Sequence, residues 1–207
     1  MTERATIPEL TWRAHLRLAL EPPRWALAFY VRHLPLVVGL SLVPAVERFG
    51  VALWGDALAT PSRVALEVLA QGARVVLIVL VIRIAILKDE RVRAGRRLGD
   101  GRRVQAFLDH RWPGLLWQGA LLLALFVLFS VVPEQVVPRW IPASGQGLYW
   151  ALLLAVKNVT VIAVTLVWMV GAVRQMLIEG GRLLEGAPGS GAEPGPGPGP
   201  GPGLDEA

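Results

Sequence analysis

The sequence predicts an all-α membrane protein: a four-transmembrane-helix bundle with interfacial helices and a disordered Gly/Pro C-terminal tail. Three observations point there. Of the 207 residues, 54% are hydrophobic and only 18% charged, where an ordinary soluble domain has about 45–50% and about 25%. The apolar residues gather in four segments close to the length of about 20 residues that a bilayer-crossing helix needs. The cationic residues avoid two of the loops between those segments and crowd into the rest of the polar sequence. A core helix of a soluble bundle keeps one polar face, and Gly119 to Val132 offers almost none.

Taken in chain order, Pro8 to Leu20 reads as a short helix that stops before Pro22-Pro23. Arg13 and Arg17 share one face, and Trp12 and the leucines occupy much of the remainder. Such a helix lies on the membrane surface or docks on the bundle. The first span is placed at about residues 26–46. Its unbroken apolar run, Leu34 to Val46, holds 13 residues and includes Pro35 and Pro44. To reach membrane length it must take in Arg32-His33 or Glu47-Arg48, so a kinked helix is expected. Ala57-Leu58-Ala59 resembles a signal-peptidase site, but the basic segment ahead of the apolar run is far longer than a signal peptide carries, and the span is read as uncleaved.

The second span covers about residues 65–87, with an unbroken apolar block from Val75 to Ile82 between Arg74 and Arg83. In the loop 88–113, Val104, Phe107 and Leu108 form an i, i+3, i+4 stripe. This predicts a second surface helix, Arg102 to Trp112, ending at Pro113. The third span, 114–133, has only Gln118 and Ser130 as polar side chains before Pro133. The fourth, 149–173, is interrupted by Lys157-Asn158, Thr160 and Thr165. Residues 186–207 are Gly, Pro, Ser and a few acids, without the Gly-X-Y period of collagen. They cannot bury enough apolar surface to offset the loss of chain entropy. The organisation is therefore a cytoplasmic segment 1–24, a membrane domain 25–185 and a tail 186–207. A faint repeat aligns Ala28-Phe29 and the following Arg32-His33-Leu34-Pro35 with Ala106-Phe107 and His110-Arg111-Trp112-Pro113, 78 residues on. It would make the chain two parallel copies of one unit.

Orientation follows from the cations. Fourteen Lys and Arg residues lie before the first span, in 88–111 and after the fourth span, against three (Arg48, Arg63 and Arg139) in the other two loops. Positive charge stays on the cytoplasmic side, which places both termini and the central loop in the cytoplasm and the protein in the cell membrane. Trp140, Tyr149 and Trp150 would then mark the outer interface, and Trp25, Trp112 and Trp168 the inner one. A pI near 10.6 invites a nucleic-acid partner, but the topology already accounts for most of the charge, and none is expected.

The absence of cysteine excludes disulfides, thiolate metal sites and cysteine nucleophiles. His15, His33 and His110 stand far apart in sequence and suggest no metal or other cofactor. There is no G-x-S-x-G, P-loop or dinucleotide fingerprint. Arg74 and Lys157 are the costly residues, at about 2.5–3.5 kcal/mol each for a cation at a helix centre. Two readings stand. In one, each is paired within the bundle by Glu47, Glu67 or Glu134. In the other, they form a cationic cleft for an anion or lipid headgroup, with Asn158 and Glu67 alongside. Glu67 and Arg74 are two helical turns apart and cannot touch without a bridge. At the inner surface, Arg96, Arg97, Arg102 and Arg103 are candidates for anionic lipid. The functional expectation is a non-catalytic accessory, assembly or scaffolding subunit, with a membrane-protein partner or as a homo-oligomer. The alternatives are a small transporter or channel component, and a membrane enzyme of lipid metabolism.

Overall fold

The structure, a computed structural model, describes residues 12–186. They form helices α1 (Trp12–Arg32), α2 (Leu34–Trp54), α3 (Thr60–Ile82), α4 (Glu90–Ala94), α5 (Asp100–Phe126), α6 (Ala143–Lys157) and α7 (Ala163–Glu185). There is no strand among the described residues. Short π-helical stretches extend α3 to Leu87, extend α5 and join α6 to α7. Four helices are long and apolar enough to cross a membrane: Leu34–Trp54, Thr60–Leu87, Asp100–Trp140 and Ala143–Glu185. The predicted tail beyond Gly186 and the start of the predicted N-terminal helix lie outside the described residues.

Three features differ from the sequence expectation. The first is α1, which does not stop at Leu20 but runs through Pro22-Pro23 to Arg32. Proline has no N–H to give to the carbonyl four residues back, which leaves Leu18 O without its helical donor. Gln175 Nε2 on α7 supplies one at 2.6 Å. The real break comes at His33, just ahead of Pro35 in the first turn of α2. There His33 Nδ1 lies 3.1 Å from Phe29 O, and its ring stacks on Phe29 at 4.2 Å. The first apolar helix is therefore Leu34–Trp54, later than predicted, with Glu47 and Arg48 inside it.

The second difference is at Pro113, which does not end a surface helix. α5 continues through it, and the helix Asp100–Trp140 is 41 residues long. Phe107, predicted to face the membrane surface, is fully buried, while Leu108 is exposed. α1 and α5 both dock on α7, so for the N-terminal helix the docked of the two readings holds. The third difference concerns the interface aromatics: Trp168 is buried in the core and Trp25 packs against Arg174.

The helix ends follow local chemistry. Asp89 caps α4 by accepting from the backbone N–H groups of Arg91 (2.8 Å) and Val92 (3.4 Å). Gly99, at φ 79°, makes the turn into α5 and is the one positive-φ residue among those described. The turns at 55–59 and 141–142 lie at one end of the bundle, the distal end. Residues 88–99, Trp12 and Glu185 lie at the other, the basal end. The core between them is built from Ala26, Phe29, Val37, Leu77, Val81, Ala163, Val167 and Trp168.

The proposed duplication is not repeated in the packing. Within the two units, α2 on α3 is matched by α5 on α7, but the close packing of α2 on α6 has no counterpart of similar extent between α5 and α3.

Candidate functional site

Two polar systems run through the bundle. The distal one contains the predicted site residues. Along α3, Glu67, Gln71 and Arg74 stand at i, i+4 and i+7, so one turn separates each from the next. Gln71 is the required bridge: its Nε2 donates to Glu67 Oε1 at 2.7 Å, and its Oε1 accepts from Arg74 Nη1 at 3.1 Å. Arg74 Nη2 crosses to Asn158 Oδ1 at 2.8 Å. At the other end of the ribbon, Arg48 Nη2 donates to Glu67 Oε2 at 2.7 Å and Arg48 Nε lies 3.2 Å from Glu47 Oε2. Lys157 points elsewhere, to a hydrogen-bonded ion pair with Glu134.

Glu67, Arg74 and Asn158 therefore come together, whereas Lys157 belongs to a separate pair one helix away. Lys157 has the glutamate partner that the structural reading expects, whereas Arg74 is held by the amides of Gln71 and Asn158 and by no carboxylate. The space beside Arg74, lined by Ser41, Pro44 and Asn158, amounts to about 10 Å³, near the lower limit for one water molecule. Two buried atoms of the ribbon, Arg74 Nε and Glu47 Oε2, have no hydrogen-bond partner among the described residues.

The basal system is built around α7. Arg174 on α7 donates from Nε (2.9 Å) and Nη2 (2.7 Å) to Asp89 Oδ2, and lies over the Trp25 ring at 5.5 Å. Burial works to raise the Asp89 carboxyl, but the Arg174 hydrogen bond and charge, with the two capping N–H groups, outweigh it and hold its pKa below the ordinary value. Beside it, Gln118 Nε2 donates to Gln175 Oε1 at 2.9 Å, and Gln175 Nε2 reaches Leu18 O and Glu21 Oε2.

The comparisons with known proteins add nothing to this geometry. The chain matches no family model, no curated protein and no solved structure. Its function must be argued from the residues themselves.

Of the four predicted surface arginines, Arg96, Arg97 and Arg102 are exposed. Arg103 is the correction: it is fully buried, and it cannot meet a lipid headgroup. Its Nε donates to Leu177 O at 2.7 Å, and its Nη1 donates to Val92 O and Asp100 Oδ1, both at 3.1 Å. Glycines make room for it. A Cβ on Gly180 would fall 1.8 Å from Arg103 O, and one on Gly95 would fall 3.1 Å from Arg103 Cζ.

Sequence reasoning missed a basal groove of about 770 Å³ between α1, α4, α5 and α7. Its wall includes Arg17, Arg24, Arg91, Arg111 and Arg174. Arg17, Glu21 and Arg24 share a helix face only if the helix passes through Pro22-Pro23, so ending it at Leu20 hid the pattern.

Proposed function

We propose that the chain is a multi-pass cell-membrane protein with both termini in the cytoplasm, serving as a non-catalytic accessory or scaffolding subunit of a membrane complex. The helices support the membrane part by length and composition. A 41-residue helix is about 62 Å long, twice the hydrocarbon thickness of about 30 Å. The basal thirds of α1, α5 and α7 would therefore stand in the cytoplasm as an arginine-rich cluster.

One observation carries the accessory role. The most apolar of the four helices, Asp100–Trp140, is also the least covered: 11% of its apolar window is buried. Phe126, Val127, Leu128 and Phe129 are all exposed, and four consecutive residues take in the whole circumference of a helix. Two polar ties hold this stretch to α6, Lys157 to Glu134 and Tyr149 Oη to Pro133 O at 2.6 Å. A helix tethered by polar ties and bare of packing leaves a seam that a neighbouring membrane helix fits. The ion pair of Lys157 with Glu134 and the hydrogen bonds of Arg74 to Gln71 and Asn158 weigh against a transport path at those residues.

The test is extraction of the complex from its own membrane in polymer nanodiscs, followed by native mass measurement. The expected particle holds a second membrane protein, or a second copy of this chain, in fixed ratio. Leu123→Thr with Phe129→Thr should release it while the chain remains folded. A single copy of this chain with lipid alone contradicts the proposal.

A further inference from the structure

We propose that the basal groove is a binding site for a phosphate-bearing anion. Its chemistry is amphipathic: arginines line the rim, and Ala14, Leu18 and Trp25 form an apolar side. Among the described residues, the guanidiniums of Arg17, Arg24, Arg91 and Arg111 have no hydrogen-bond or ion-pair partner, in contrast to Arg174, which Asp89 neutralises. These four come from three different helices, α1, α4 and α5, and converge on one cavity. Like charges converge at an electrostatic cost unless an anion sits between them. A guanidinium presents a planar fork of donors, and several forks can share the oxygens of one phosphate, which offers more acceptor sites than a carboxylate.

Of the two carboxylates that line the groove, only Glu179 is neutralised by a cation, and Glu21 remains a single negative charge among the arginines. Glu21 Oε2 accepts from Gln175 at 3.2 Å, and Glu179 pairs with Arg182. The wall is also fixed in place. Arg174 is held between Asp89 and Trp25, and Glu21 is held through Gln175 and Gln118. The anion's source is either a phospholipid headgroup, whose glycerol and first methylenes would lie along Leu18 and Trp25, or a soluble phosphate compound. Arg96 and Arg97, the exposed arginines favoured by sequence, lie outside this groove.

The experiment uses the full chain purified in mild detergent. Binding is measured by thermal shift and native mass spectrometry against phosphatidylglycerol, phosphatidylcholine and inorganic phosphate. Wild type should bind phosphatidylglycerol or inorganic phosphate over phosphatidylcholine. Arg24→Gln with Arg111→Gln should weaken that binding tenfold or more, and Arg96→Gln with Arg97→Gln should leave it unchanged. If phosphatidylglycerol binds far more tightly than inorganic phosphate, the source is lipid; comparable binding identifies a soluble phosphate compound. Equal binding by the groove variant and wild type overturns the proposal, as does an equal loss in the Arg96/Arg97 variant, which would mean diffuse surface charge. Should Arg24→Gln with Arg111→Gln lower the ligand-free midpoint, Arg17→Gln with Arg91→Gln gives the same test with the other two unpaired arginines. The inorganic-phosphate arm does not depend on the accessory role or on membrane orientation, so its outcome is separable from that of the proposed function.

Discussion

Gly180→Ala should be among the most damaging single substitutions in the bundle. A methyl group there would sit 1.8 Å from Arg103 O, and real Cβ contacts essentially never fall under 3.0 Å. The obstacle is backbone, not the end of a flexible side chain. α5 and α7 must therefore part by about 1.2 Å at this crossing. Overpacking of this kind costs about 1–3 kcal/mol. The separation also stretches the 2.7 Å bond from Arg103 Nε to Leu177 O, and a buried charged donor left without its partner adds about 1–3 kcal/mol. The sum is about 2–6 kcal/mol, read as a lower midpoint in thermal unfolding followed by circular dichroism in mild detergent. Gly119→Ala is the matched control, since nothing lies within 4 Å of its Cβ position. It should be neutral or stabilising by up to about 1 kcal/mol through helix propensity. A Gly180→Ala midpoint equal to that of Gly119→Ala would refute the close crossing of α5 and α7.

Three other substitutions probe the polar systems. Lys157→Met should destabilise by about 1–2 kcal/mol, the scale of interhelical polar contacts in membrane proteins, and adding Glu134→Gln should restore part of the loss in a double-mutant cycle. Gln175→Leu removes the donor to Leu18 O and should cost about 1–3 kcal/mol; Pro22→Ala, which returns a backbone N–H to that carbonyl, should reduce the cost in the same cycle. Because the folded-state pKa of Asp89 is lowered, its stabilising contribution is complete above the ordinary carboxylate value of about 3.9 and is lost as pH falls through the folded value. The wild-type thermal midpoint should therefore fall in acid more steeply than that of Asp89→Asn.

Much of the fold was legible because hydropathy is a local property. The third and fourth apolar segments announce themselves by composition alone, and Glu67, Gln71 and Arg74 carry their one-turn spacing openly. The errors came where a distant residue changes a local rule. Pro22-Pro23 reads as a helix stop until Gln175, more than 150 positions away, supplies the donor that proline lacks. Arg103 reads as a surface-helix arginine available to anionic lipid until Gly95, Gly180 and Gly181 open a slot for it. The glycine pair inside a helical pattern was the available hint, since such glycines often mark close packing. The basal groove was invisible for the same reason as α1: its arginines come from separate helices, and only the tertiary fold brings them together.

The most direct test of membrane insertion with cytoplasmic ends exploits the absence of native cysteine. Single cysteines would replace Ser62 and Ser144 near the distal turns, and Arg13 and Arg97 at the basal end, all exposed positions. Intact cells would be treated with a membrane-impermeant maleimide before and after permeabilisation. Labelling of Ser62→Cys and Ser144→Cys in intact cells, with Arg13→Cys and Arg97→Cys labelled only after permeabilisation, is the expected result. Labelling of a basal position in intact cells, or of all four under the same condition, would contradict it.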